Sequence, residues 1–233
     1  MTNSNHVIRM SRPTLRGVTG TLSAAAVAEM GVPSYCHRNP LIRWLFWRRL
    51  DQAWQLAAVR PGESVFDFGI GSGVLLPSLK PLARRIAGSD LHLAPARAMA
   101  AHLGMWVELI GSDGLAKWAA VNVGQFDCVF ALDVLEHVET DELRQLSGHF
   151  RQLLRPSGRL IVSGPTETFA YRVGRKLAGF RNDYHHRTIY DIDAELGRRW
   201  NREAAVVAPP WPLPRAFLIS RYEPRKAAMA AAA

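Results

Sequence analysis

The sequence predicts an α/β fold, a mostly parallel sheet with helices on both faces, and three observations point to it. Short apolar runs at residues 64–68, 85–90, 106–110, 125–132 and 159–163 alternate with helix-like stretches. Such strand-then-helix repeats demand right-handed crossovers and a parallel sheet. The first run, Ser64-Val-Phe-Asp67-Phe68, passes directly into Gly69-Ile70-Gly71-Ser-Gly73, the pattern of a buried strand turning sharply toward a helix. The length of 233 residues, with 48% hydrophobic and 21% charged side chains, suits one sizeable core. The expected layout is one domain over residues 34–226 between disordered tails at 1–33 and 227–233.

Composition removes some classes and leaves others open. No apolar segment approaches the ~20 residues of a membrane span. Two cysteines, Cys36 and Cys128, lie far apart, and the second falls inside a predicted strand, so neither a disulfide framework nor a metal cluster is expected. That usage fits a reducing, cytoplasmic setting. The net charge of +9 is divided unevenly, +6 over residues 1–60, −2 over 61–165 and +5 over 166–233. Basic flanks attract nucleic acid, anionic lipid or an anionic substrate, and charge alone does not choose among them.

Residues 1–33 hold arginines, Ser and Thr, and no acid before Glu29. They read as a disordered tail in preference to a transit peptide, with Met30 as an alternative start. Asn39-Pro40 is a helix start, an Asn cap before a proline pre-set for the first turn, and the helix is expected over 40–59. One stripe, Ile42, Phe46, Leu50, Ala53 and Ala57, suffices to dock it. A second stripe of Trp44, Trp47 and Trp54, with Arg43, Arg48 and Arg49 between them, suggests a lid over an apolar substrate or a peripheral membrane contact. The plain alternative is burial on most sides.

After the 64–68 strand, the glycine turn leads to a helix expected over 74–82. The dinucleotide fingerprint Gly-x-Gly-x-x-Gly fails, because Val74 and Leu76 stand where its third glycine belongs. The 85–90 strand ends in Asp90, placed where an open α/β nucleotide site puts a carboxylate on two ribose hydroxyls. A helix over 94–103 precedes the 106–110 strand and Gly-Ser-Asp113-Gly114. The 125–132 strand closes on Ala131-Leu132-Asp133-Val-Leu-Glu136-His137. An acid-rich turn from Thr140 opens a helix that ends at Arg155-Pro-Ser-Gly158. Beyond Pro165, a basic amphipathic helix over 166–180 and the Asp183-Tyr184-His185-His186 stretch form an insertion, about 166–200. Thr188-x-x-Asp191 caps a helix ending near Trp200, and strands at 204–208 and 215–222 close the sheet.

The set Asp67-x-Gly69-x-Gly71-x-Gly73, Asp90, Asp113 and Phe-Asp-Cys-Val-Phe-Ala-Leu-Asp-Val-Leu-Glu-His-Val resembles the motifs of class I S-adenosylmethionine-dependent methyltransferases. Among these it is similar to the small-molecule enzymes related to quinone biosynthesis. The resemblance spans about residues 60–165 and implies a Rossmann-like three-layer sandwich whose seven-stranded sheet has one antiparallel strand. It implies S-adenosyl-L-methionine as cofactor, with Asp67, Phe68, Gly69, Ile70, Gly71 and Gly73 on the methionine half and Asp90 on the ribose. Leu91, Asp113 and Gly114 would meet the adenine, and Ala131, Leu132 and Asp133 the reactive sulfur. Candidate bases are His185, His186 and His137; His137 alternatively serves the helix turn, and Asp133 alternatively binds substrate or caps a helix. No metal is expected, since Asp133 and Glu136 alone make no convincing site.

The expected function is methyl transfer to a small, lipid-like or aromatic acceptor at oxygen or carbon. Nucleic acid is a less favoured partner, because no Asn-Pro-Pro-Tyr-like motif follows the fourth strand and no separate recognition module is present. An RNA methyltransferase and a non-catalytic cofactor-binding protein are the alternatives.

Overall fold

The computed structural model describes residues 5–20, 22–23, 27, 32–167, 187–210 and 214–225. Seven strands form one sheet: β1 (Ser64–Phe68), β2 (Arg85–Asp90), β3 (Glu108–Gly111), β4 (Phe126–Leu132), β5 (Leu154–Pro165), β6 (Trp200–Ala208) and β7 (Phe217–Pro224). Their order is β3-β2-β1-β4-β5-β7-β6. β1 to β5 pair in parallel, and β7 runs antiparallel to both β5 and β6. The expected single antiparallel strand is therefore β7. The order reverses between β1 and β4, and in open α/β sheets ligands bind outside the carboxyl ends of the strands at such a point.

Alternate residues of each strand feed two cores, as the two-residue period of a strand requires. Val65, Cys128, Phe130 and Ile161 face one, and Phe66, Val129, Ala131 and Val162 face the other. The first core is covered by α1 (Arg12–Val18), α2 (Val32–Tyr35), α3 (Pro40–Ala57), α4 (Leu76–Leu79) and α5 (Ala94–His102). The second lies under α6 (Leu115–Val121), α7 (Thr140–Leu153) and α8 (Ile189–Leu196). Both cysteines are free and buried.

Helix α3 starts as its sequence demands, with Asn39 Oδ1 accepting from the Leu41 amide at 2.9 Å. It stops where Ala58 turns left-handed at φ 46°. Leu50, Ala53 and Ala57 dock it, as the apolar stripe predicts, but the tryptophan face is not free. Trp47 and Trp54 are buried, and only Trp44, 39% exposed, keeps much contact with solvent. The cover comes from residues 5–20, where the sequence predicts a disordered tail. Val7, Leu15 and Val18 enter the core, and the Val7 amide and Arg9 guanidinium both reach the buried Asp51 carboxylate, at 3.0 and 3.1 Å. The Ile8 amide donates to Ser78 Oγ at 2.7 Å, and Arg9 lies over the Trp47 ring. Helix α1 is capped by Ser11, whose Oγ accepts from the Thr14 amide. That signal was available in Ser11-Arg-Pro-Thr14.

Two helices are shorter than their sequence periodicity suggests. The one expected over 74–82 is only the turn Leu76–Leu79, because Pro81 has no N–H with which to continue it. The one expected to reach Trp200 ends at Leu196 with Gly197 after it. Its Thr188–Asp191 capping box is formed as predicted. Trp200 opens β6 instead, its indole donating to Ser147 Oγ at 2.9 Å. The expected helix over 166–180 falls mainly in residues outside those described.

A buried arginine ties α3 to the sheet. Arg159, on β5, meets both Glu63 oxygens at 2.6 and 3.1 Å, the carbonyls of Ala58 and Asp127 at 3.2 Å, and the carbonyl of Ala57. Removing one member of such a buried network strands the others without partners. Arg159→Met is expected to cost about 3 kcal/mol, roughly 6–12 °C in a chain of this size, read by thermal unfolding.

Candidate functional site

The glycine turn after β1 is held against β2. Gly69 and Ile70 donate to the Ser89 carbonyl at 2.8 and 3.2 Å, and Gly73 donates back to Ile70. All three glycines have positive φ, 75°, 52° and 70° for Gly69, Gly71 and Gly73, a region that side chains disfavour. They differ in what surrounds them. A Cβ on Gly69 would sit 2.8 Å from Val134, and one on Gly73 2.8 Å from Leu76, whereas at Gly71 the nearest atom is the Gly69 carbonyl at 3.8 Å. Gly69 and Gly73 allow close packing, while the space at Gly71 is open. The sequence reading overlooked Gly88, where a Cβ would come within 2.6 Å of Ile70. A glycine inside a strand is the available signal.

Parallel pairing brings the other predicted residues to the same edge. Phe68 pairs with Ser89 and Ala131, and Asp90 with Gly111. The C-terminal ends of β1 to β4 therefore carry Asp67 and Phe68, Asp90 and Leu91, Asp113 and Gly114, and Ala131, Leu132 and Asp133. Asp67 is 5% exposed. Burial, and after it the nearby Asp90 charge, push its carboxyl up to about 8. The half-buried Asp90 accepts the Gly71 amide at 2.8 Å on one oxygen and the His92 amide at 2.9 Å on the other. Leu91 is 80% exposed, and Asp113 stands exposed on the 3-10 turn Ser112–Gly114.

The end of β4 holds a polar cluster that sequence reasoning missed. Asp133 adopts a left-handed conformation at φ 51°, accepts the Ser163 hydroxyl at 2.7 Å, and forms an ion pair with Arg49. Arg49, 4% exposed, also donates to the Tyr35 hydroxyl at 2.6 Å. Its guanidinium carbon lies 5.3 and 5.2 Å from the Phe46 and Phe217 ring centres, so aromatic faces enclose the cation. Burial pushes the Tyr35 hydroxyl up despite the opposing pull of Arg49. Glu136, on the 3-10 turn Leu135–His137, is 2% exposed. Burial pushes its carboxyl up to about 7, against its own amide and Arg49, while Glu167 adds to the rise. Arg49 Nε and Glu136 Oε2 are buried without a hydrogen-bond partner among the described residues.

The candidate bases fare differently. His137 follows Glu136 but is exposed. His185 and His186 lie outside the described residues. Among the described residues, no three His, Cys, Asp or Glu side chains converge as a metal site, and no helix is long and apolar enough to cross a membrane.

The family described as a methyltransferase domain matches residues 42–203, more than half of the chain. Ubiquinone biosynthesis O-methyltransferases from Escherichia coli and Nitrosococcus oceani are 29% and 30% identical over 105 residues. Those residues are 44% of this chain and 42% and 43% of theirs, so the chain spans less than half the length of the curated relatives it matches. Among solved structures, the N-methyltransferase NodS from Bradyrhizobium japonicum, in complex with S-adenosyl-L-homocysteine, superimposes with a TM-score of 0.64 at 15% identity, covering 91% of this chain and 99% of that one. Magnesium protoporphyrin IX methyltransferase from Synechocystis gives 0.60 at 23%, covering 91% and 93%. The matched domain places this chain in the methyltransferase-domain family, with the fold of class I S-adenosylmethionine-dependent methyltransferases.

Proposed function

We propose that the protein methylates a small aromatic or lipid-like acceptor at oxygen or carbon. S-adenosylmethionine, when bound, supplies a methyl group that is already electrophilic, so the chain need not provide a covalent nucleophile. Its residues bind, orient and remove a proton. The turn from Asp67 to Gly73 would hold the methionine half and Asp90 the ribose, with Leu91, Asp113 and Gly114 at the adenine. Ala131, Leu132 and Asp133 would border the reacting centre. The observation that supports the cofactor's place in this reading is the buried Asp67 carboxyl, whose neighbouring charge is another carboxylate. A site of that kind favours a cation, and the open space at Gly71 lets a ligand lie against the backbone.

The similarity to ubiquinone biosynthesis O-methyltransferases supports an oxygen acceptor on a quinone-like ring. With Trp47 and Trp54 buried, peripheral membrane contact through α3 rests on Leu41 and Trp44 alone. Incubation with methyl-labelled S-adenosylmethionine and a cell extract is expected to place label in the organic-soluble fraction. Label in RNA instead would overturn the reading.

Gly71→Ala separates the cofactor role from folding. A side chain at φ 52° costs about 1 kcal/mol, yet it would fill space that is open in the free protein. The expected result is a slightly lower melting temperature and a more than tenfold loss of S-adenosylmethionine affinity by isothermal titration.

A further inference from the structure

We propose that Glu136 takes the proton from the acceptor's hydroxyl, in a site whose fixed cation is Arg49, held by its ion pair with Asp133. The inference rests on the small-acceptor reading above and gives that site its base. Glu136 lies three residues beyond Asp133, at the carboxyl end of β4, beside the reversal of strand order. A carboxyl 2% exposed, with one oxygen lacking any partner among the described residues, is costly to keep. Functional use is one reason such a group persists. Arg49, whose charge acts on Glu136, has its Nε likewise buried and without a partner among the described residues, so a donor and an acceptor are left over around this strand end. A hydroxyl can use both, giving its proton to Glu136 and accepting from Arg49.

The chemistry balances without another reactant. The acceptor oxygen forms its bond to the methyl carbon as the carbon–sulfur bond of the donor breaks, and that bond's electron pair stays on sulfur. The hydroxyl proton passes to Glu136 and later to water. Arg49 already answers the Asp133 charge, so Asp133 serves as a positioning residue.

Among the described residues, the charges acting on Glu136 come from two side chains. Arg49 on α3 lowers its proton affinity and Glu167 after β5 raises it. On α8, which packs against the 3-10 turn, Asp191 closes the Thr188 cap and Asp193 pairs with Arg202. A base that titrates near neutrality suits a phenolic hydroxyl, because it is free to accept at physiological pH and strong enough to share that proton in the transition state.

The test uses the full chain, with Glu136→Gln and Glu136→Asp. For transfer at saturating labelled S-adenosylmethionine, which removes the pH dependence of cofactor binding, to organic-soluble acceptors of a cell extract, the wild-type rate should rise about tenfold per pH unit up to about 7 and then level. Glu136→Gln should lower it about 10²–10⁴-fold and erase that limb, with cofactor affinity kept within about twofold, while Glu136→Asp restores part of it. A glutamine variant with wild-type rate and profile overturns the proposal. In the second readout, phenol is added with S-adenosyl-L-homocysteine to protein carrying carbon-13 in its glutamate carboxyls. The Glu136 signal, identified by its loss in the glutamine variant, should shift saturably, and an unmoved signal overturns the proposal as well. An extract that accepts no organic-soluble label would sink the broader reading, and the phenol response would still decide the role of Glu136.

Discussion

Asp67→Asn is expected to make the ligand-free protein more stable and its binding of S-adenosylmethionine at least a hundredfold weaker. The carboxyl is pushed from the ordinary 3.8 to about 8, chiefly by burial and then by Asp90, so the folded protein keeps a proton that the unfolded chain has released. A raised carboxyl works against folding as pH rises. The cost is absent below about 4, grows through the window up to about 8 and is complete above it. An amide has no charge to bury and removes that cost, which should raise the melting temperature at pH 8 by several degrees and leave it little changed at pH 4. Binding runs the other way. The ligand carries an ammonium and a sulfonium, and a cation next to Asp67 stabilises the ionised form. Wild-type affinity should therefore fall as pH drops below about 8, approaching tenfold per unit, and the asparagine variant should show a flat profile. Titration calorimetry from pH 6 to 9, with melting curves at pH 4 and 8, checks both halves. A flat wild-type profile would show that Asp67 does not meet the cationic part of the ligand.

That expectation rests on a residue the sequence displays openly, and the contrast with the rest of the site is physical. Asp67, Asp90 and Asp133 are legible because each lies at the carboxyl end of an apolar strand run, and the glycines are legible because left-handed residues at every second position of a tight turn tolerate little else. The parallel sheet follows from the same runs. Arg49 was hidden because an arginine on an amphipathic helix is ordinarily solvated. Its partners, Asp133 and Tyr35, come from a distant strand end and a short preceding helix, which only the folded chain brings together. Residues 5–20 were hidden for a related reason. They are fixed by a few apolar side chains and by bonds to Asp51, and composition reads such a stretch as a tail. Glu136 and His137 are adjacent, and sequence alone favours the histidine as a base. The 3-10 turn sends the carboxylate inward and leaves the imidazole exposed.

Arg49→Met is expected to lower stability by about 3–5 kcal/mol, roughly 6–20 °C, and to move the pH profile of transfer upward. The guanidinium answers the Asp133 charge, satisfies the Tyr35 hydroxyl and lies against Phe46 and Phe217. Without it a largely buried carboxylate stands unpaired, which costs far more than an intact pair contributes. Arg49→Lys should recover little, since an ammonium has no planar fork to span Asp133 and Tyr35 and no flat face for the rings. The double variant Arg49→Met with Asp133→Asn should recover much of the loss, because the stranded charge goes with its partner. A thermodynamic cycle over these melting curves should give a coupling above about 1 kcal/mol. Arg49 also holds down the proton affinity of Glu136, so its removal leaves that carboxyl protonated to higher pH. The rising limb of transfer should then shift upward in Arg49→Met. Strong coupling with an unshifted limb would make Arg49 a structural tie alone, whereas both together would make one buried cation responsible for the fold of this strand end and for the working pH of its base.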